Sequence, residues 1–215
     1  MFKSPIYDRI MIRINSLLQR GILSMGMIIL KAIYVFDNYI LFLIKKYVQN
    51  KYLDAIMRVI TTTGNLGSIW VAIAFLLIIR KPYREIGILV LITLIAGTIL
   101  GEGIIKNIVK RNRPFHRRSY LNLLITKPKS YSFPSGHTLS SFAAAHTLSV
   151  YFLQYKFIFI AIAILIALSR VYLYVHYPTD IISGTILGIL CSKLVLVIFN
   201  EDYISYIINS FQGLF

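Results

Sequence analysis

Three short stretches of this chain gather residues able to grip an anion and move protons. They are "KNIVKRNRP" (Lys106 to Pro114), "PSGH" (Pro134 to His137) and "SRVYLYVHYPTD" (Ser169 to Asp180). In the first, at about 100° per helical residue, Lys110 and Arg113 both fall within roughly 40° of Lys106. A cationic stripe two turns long would result, and Pro114 would release the chain from the helix at Arg113. Basic residues at the end of an apolar segment also snorkel toward water and headgroups, which is the plainer reading of the stripe alone.

In the second stretch Ser135 is a natural helix N-cap and Gly136 has no side chain to block close approach. A helix that starts there presents unpaired N–H groups and the positive end of its dipole, an anion site with His137 in its first turn. An ordinary capped helix with an interfacial histidine would look the same. In the third, Ser169 and His176 are seven residues apart and would share a helical face. The planar fork of Arg170 suits a phosphate. Asp180 can accept the proton of one imidazole nitrogen of His176 and leave the other lone pair free to attack. A purely structural histidine–aspartate hydrogen bond is the alternative.

The elements that must position these residues are membrane helices. Of 215 residues 57% are hydrophobic and 14% charged. A soluble domain of this size needs more polar surface, whereas a membrane helix satisfies its backbone internally. Apolar runs of near-spanning length cover about Leu66–Ile79, Ile86–Val109, Thr138–Tyr155, Phe157–Val175 and Ile181–Phe199. One further span is expected within residues 20–44. The segment "KKYVQNKYLDAIMRVI" mixes charge and apolar residues at helical spacing and suits an interfacial helix. The expectation is therefore an all-α, polytopic transmembrane helical bundle of about six spans, forming one domain overall. Within it, residues 1–60 would be N-terminal membrane-associated helices, 61–200 the catalytic transmembrane core and 201–215 a C-terminal tail.

The net charge of +15 would suggest nucleic acid in a soluble protein. Here the basic residues cluster at the ends of apolar runs, which suits anionic headgroups or a phosphorylated substrate and argues against nucleic acid. The single cysteine, Cys191, excludes an intrachain disulfide. No cleavable signal peptide is evident, since the first apolar run is interrupted by Lys31 and lacks a small-residue cleavage site. Alternation of spans then puts Lys110, Ser135, His176 and Asp180 on one membrane face, with the short connectors at 80–85 and 155–156 on the other. The long connector, 111–134, is rich in Arg, Lys, Pro and Tyr.

Taken in order, Lys106 with Arg113-Pro114, Pro134-Ser135-Gly136-His137, and Ser169-Arg170 with His176 and Asp180 resemble the three-part signature of the type-2 phosphatidic acid phosphatase superfamily. The resemblance covers Lys106 to Asp180 and matches every signature position. It implies hydrolysis of a phosphoester or pyrophosphate through a phosphohistidine. His176 would be the nucleophile, Asp180 its orienting partner and His137 the acid and then the base. Lys106, Arg113, Ser135, Gly136 and Arg170 would bind the phosphate.

These cations would play the part of a Mg²⁺ ion, so neither metal nor cofactor is expected. His137 and His146 would face opposite ways on one helix, His116 belongs to the loop, and Glu102 supports Lys106 as an i,i+4 pair. By resemblance the substrate is a membrane lipid phosphate, with undecaprenyl diphosphate first. Phosphatidylglycerophosphate and phosphatidic acid are alternatives, as is transfer to a lipid acceptor. Resemblance also favours a bacterial-type cytoplasmic membrane with the catalytic face outside the cytoplasm, a point on which the basic residues of the loops do not decide.

Overall fold

A computed structural model describes Ile12 and residues 25–117 and 123–199. No strand occurs among these residues. Apolar sequence in a bilayer leaves the backbone little choice, because every N–H and C=O must pair within its own segment. Two compact units result, one ending at Gln49 and one beginning at Asn50. The described part of the first is helix α1, Met25–Leu43, which runs on through a π-helical turn, Ile44–Val48. It supplies the span expected within residues 20–44; residues 20–24 lie outside the described residues.

The second unit holds α2 (Lys51–Thr63), α3 (Ser68–Ile79), α4 (Arg84–Thr98), α5 (Gly136–Tyr151), α6 (Lys156–Tyr172) and α7 (Pro178–Phe199). Helix α4 continues through a π-helical stretch, Ile99–Ile105, into a last turn, Lys106–Val109. Among the described residues four helices are long and apolar enough to cross a bilayer, and the pair α2–α3, bent by 50°, makes up to five. The expected interfacial helix is shorter than the sequence pattern implied. It begins at Lys51, where Asn50 Oδ1 accepts the N–H groups of Tyr52 and Leu53 at 3.1 and 3.0 Å. Lys45 to Val48 belong instead to the end of α1. The helical pattern of α3 was read from Leu66, but Leu66 and Gly67 both have positive φ (52° and 68°), so the helix restarts at Ser68.

Helix α5 lies at the centre and packs on α4, α6 and α7. Its small residues Ala144 and Ala145 meet Trp70, Val90, Leu94, Ala163 and Ile166 in the core. Trp70 is fully buried and donates its indole N–H to Ser141 Oγ at 3.0 Å. Between lipid-embedded helices no hydrophobic force drives contact, so close packing and hydrogen bonds must do so. A hydroxyl ladder joins α4, α5 and α7: Thr147 contacts Ser192 at 2.8 Å and Thr93 at 3.3 Å. His146 adds Nδ1 to Ser192 Oγ at 2.9 Å, the structural place expected for it. Outward from this core, Leu165, Leu168, Leu190, Leu194 and Ile198 are exposed and present the apolar face a bilayer requires.

The approach of α5 to α7 depends on Gly184 and Gly188, one turn apart. A Cβ at position 188 would lie 2.5 Å from the carbonyl oxygen of Leu139 and 3.0 Å from the amide of Ala143. Gly188→Leu should therefore force the two helices apart, at a cost of about 1–3 kcal/mol as for other overpacked cores. A drop of several degrees in the thermal midpoint in detergent would show it, and Ile186→Leu on the exposed face of α7 should leave that midpoint in place.

Candidate active site

Four helix-end segments meet the connector between α4 and α5 at one place: the last turn of α4, the start of α5, the end of α6 with the turn after it, and the elbow between α2 and α3. Together they wall a cavity of about 750 Å³. Lys106, Arg113, Gly136, His137, Arg170 and His176 line it, all of them expected from the sequence, together with Glu102, Thr61, Asn65 and Ser130. Ser135 and Asp180 stand behind the wall, fully buried.

The route to His176 differs from the expectation of a shared helical face with Ser169. Helix α6 stops at Tyr172, Tyr174 turns the chain with φ 60°, and the N–H groups of Val175 and His176 both return to Arg170 O, at 3.2 and 3.3 Å. His176 therefore folds back beside Arg170 in a tight turn, while the Ser169 hydroxyl caps Ile166 O at 2.6 Å.

His176 Nε2 lies 3.1 Å from Arg113 Nη1. A guanidinium can only donate, so Nε2 must accept; the neutral ring then carries its proton on Nδ1. That nitrogen faces Asp180 Oδ2 across 3.5 Å and has no closer hydrogen-bond partner. Burial, reinforced by the positive charges of Arg113, Arg170 and Lys106, pushes the His176 pKa well below the usual imidazole value. Asp180 is itself fixed from two sides. Oδ2 accepts the N–H of Tyr177 at 2.8 Å, and Oδ1 accepts from Arg111 Nη1 at 2.7 Å. Arg111 also donates to Thr179 Oγ1 at 2.8 Å and stacks over the Tyr177 ring at 4.1 Å.

The cations face the cavity from three elements. Lys106 Nζ pairs with Glu102 Oε1 at 2.5 Å and with Ser130 Oγ at 3.1 Å. Arg113 is held by Ser130 O at 2.7 Å and Val175 O at 2.9 Å. Arg170 Nη1 donates to Thr61 Oγ1, while its buried Nε has no partner. An unpartnered buried donor beside two further cations has the chemistry to bind an oxyanion. The expected stripe does not survive as such, because Lys110 adopts a left-handed conformation (φ 48°) that ends the helix. Lys110 is left exposed, and Arg113 reaches the site from the loop beyond.

At the start of α5, Ser135 Oγ accepts from the Thr138 hydroxyl at 2.9 Å and from the Thr138 N–H at 3.4 Å. Its hydroxyl thus caps the helix and does not line the cavity. Gly136 leaves space that Glu102 takes up, since a Cβ there would overlap Glu102 Oε1. The glutamate does support Lys106 as expected, yet it also stands at the helix N-terminus, where an anion is favoured. His137 Nε2 meets Asn65 Oδ1 at 2.9 Å. His116, expected in the loop, is exposed and touches the Phe115 ring edge-on.

Sequence reading missed Arg111, Ser130, Thr61 and Asn65. Arg111 was visible inside "KRNRP" but was passed over for residues on an assumed continuous helix. Thr61 and Asn65 had no signal beyond the turn-forming "TGN", because neutral polar residues carry none of the charge that marked the other positions.

Apolar helices closing around cations and paired imidazoles define an integral membrane enzyme for phosphoryl chemistry. The chain belongs to the PAP2 superfamily, whose model matches residues 85–204, and it is a membrane lipid phosphatase. It is similar to the undecaprenyl-diphosphatase of Sulfolobus acidocaldarius, 36% identical over 152 residues that cover 70% of this chain and 73% of that one. Among solved structures it resembles Aquifex aeolicus LpxE, with a TM-score of 0.65 and 28% identity over 74% of this chain and 94% of the other. The fold is also that of the transmembrane PAP2-type phosphatidylglycerolphosphate phosphatase of Bacillus subtilis, with a TM-score of 0.60 and 24% identity, covering 87% and 92% of the two chains.

Removing the partner of a buried ionised group leaves its charge uncompensated. Asp180→Asn should lower kcat by about 10²-fold or more, and Arg111→Ala by about tenfold through the loosened carboxylate. Phosphate release from a lipid phosphate in detergent measures both. Equal activity of Arg111→Ala and the parent protein would remove Arg111 from the site.

Proposed function

We propose that the protein hydrolyses a lipid phosphate or diphosphate through a phosphohistidine on His176, with undecaprenyl diphosphate as the preferred substrate. One observation carries the mechanism: His176 is buried and neutral, with Nε2 accepting from Arg113 and Nδ1 turned toward Asp180. When a phosphoryl group enters, Arg113 shifts its N–H from Nε2 to a phosphate oxygen and exposes the lone pair. Lys106, Arg113, Arg170 and the N–H groups at Gly136 hold the equatorial oxygens as charge redistributes. His137 protonates the leaving oxygen and then takes a proton from the water that cleaves the N–P bond.

The choice of substrate rests on the relative from Sulfolobus acidocaldarius and on the apolar surroundings of the cavity, which suit an amphiphile with its phosphate at the helix ends. Family resemblance alone favours a cytoplasmic membrane with the site outside the cytoplasm. Labelling of Lys129→Cys from the outside tests this, since Lys129 is exposed and the native Cys191 is buried. Labelling solely from the cytoplasm would reverse the orientation.

Phosphate release by the purified protein from a panel of lipid phosphates and diphosphates, in EDTA, should continue, be fastest for undecaprenyl diphosphate and vanish in His176→Ala. Turnover in that variant would remove the nucleophile; loss in chelator would remove a mechanism built on side-chain cations. The pH profile adds a sign. The depressed pKa of His176 keeps it unprotonated as pH falls through the ordinary imidazole value of 6.5, so the acid limb of kcat/KM should lie well below that value. In the empty site, burial and the charges of Arg170, His176, Lys106 and Arg113 push the His137 pKa down to about 2, so its acid role requires the negative charge of the bound phosphate to raise that pKa. The alkaline limb of kcat then reports loss of the His137 proton, and a profile flat from about pH 4 to about pH 9 would contradict both roles.

A further inference from the structure

The elbow between α2 and α3 lies before residue 85, where the family match begins, yet it touches two residues of the site. Thr61 receives Arg170, and Asn65 Oδ1 meets His137 Nε2 at 2.9 Å. Gly64 brings the backbone against the same ring: a Cβ there would lie 3.0 Å from His137 Cδ2 and 2.8 Å from Ile166 Cγ2. The Cδ2–Nε2 edge of His137 is thus occupied by the elbow, and Nδ1 is on the opposite edge.

The elbow's conformation is costly. Leu66 has φ 52°, a left-handed geometry disfavoured for a leucine, and its side chain is 99% exposed. What the bend achieves is the delivery of Gly64 and Asn65 to the histidine, and strained backbone held beside a reacting group has that use elsewhere.

We propose that Asn65 is a positioning residue for His137: its amide oxygen takes the Nε2 proton and so assigns Nδ1 to the leaving group. This rests on the phosphohistidine reading given above. As His176 Nε2 bonds to phosphorus, the P–O bond to the leaving group breaks and its electron pair stays on the leaving oxygen. That oxygen takes the Nδ1 proton, and His137 becomes neutral with its remaining proton still held by Asn65. Water then attacks phosphorus and returns a proton to Nδ1, while the N–P electron pair goes back to His176. The two histidines are matched to different partners. A carboxylate, Asp180, faces the nucleophile; a neutral amide faces the acid and orients it without a full negative charge that would hold its proton back.

Leaving-group chemistry separates this role from a merely structural one. An alkyl phosphate needs its alkoxide protonated, whereas p-nitrophenolate leaves without help. Asn65→Ala should lower kcat on the alkyl lipid phosphate by about tenfold or more, and on p-nitrophenyl phosphate by less than about threefold. Equal losses on the two substrates, or no loss on either, would overturn the proposal. Asn65→Asp is the second arm. It keeps an acceptor but adds the charge that holds the proton back, so its alkyl turnover should fall between those of the parent protein and Asn65→Ala, and the alkaline limb of kcat should move upward. The other charged groups near His137 (Arg170, His176, Lys106, Arg113 and Glu102) are the same in both proteins, so an unmoved limb would also overturn it. Parent protein that cleaves neither substrate, or His176→Ala that cleaves both, would instead refute the phosphohistidine reading.

Discussion

Lys106, Arg113 and Arg170 are buried around one cavity that faces a neutral imidazole, and the rest of the site follows from that concentration of positive charge. Like charges gathered out of water repel, by a few kcal/mol per close pair even at an effective dielectric near 20. Two carboxylates offset this within reach, Glu102 beside Lys106 and Asp180 behind His176. Hydroxyl and backbone oxygens take further donors (Ser130 O and Oγ, Val175 O and Thr61 Oγ1), while Arg170 Nε stays without a partner. The charge that is left over suits the cavity to an oxyanion.

The same field determines the state of His176, the proposed nucleophile. An imidazole among three cations resists protonation, and Arg113, unable to accept, dictates which nitrogen carries the lone pair. Asp180 can then act only through Nδ1. The carboxylate is held rigidly, by the Tyr177 amide on one oxygen and Arg111 on the other, so its 3.5 Å separation from the ring is a property of the anchored pair. Positive charge developing on His176 during attack would draw the two together.

The membrane explains why such a site can exist at helix ends. Backbone groups left unpaired at helix termini would be intolerable in hydrocarbon, but here Ser135 accepts an N–H at the start of α5, and at the end of α6 Arg170 O accepts the N–H groups of Val175 and His176. Three of the family's signature stretches lie at such ends. The elbow adds a fourth contribution from a segment with no signature, and Glu102 supplies an anion where the substrate's would otherwise be alone.

The sequence by itself determined the all-α membrane class, the approximate spans and the gathering of charged residues on one face. Those features depend on composition and helical periodicity, which are local. It also marked Lys106, Arg113, Gly136, His137, Arg170, His176 and Asp180, because charge, imidazole and glycine at helix boundaries are rare in an apolar chain. Three things were decided by tertiary structure alone. Lys110 was excluded when the backbone turned left-handed, a change of direction that helical periodicity cannot foresee. Ser135 caps α5 as its place in the sequence indicates, but the packing of the start of α5 on α7 put it behind the cavity wall. Arg111, Thr61 and Asn65 acquired their partners across 69, 109 and 72 positions of sequence. Which neutral hydroxyl or amide meets which catalytic group depends on how helices pack around α5, and no spacing along the chain encodes that distance.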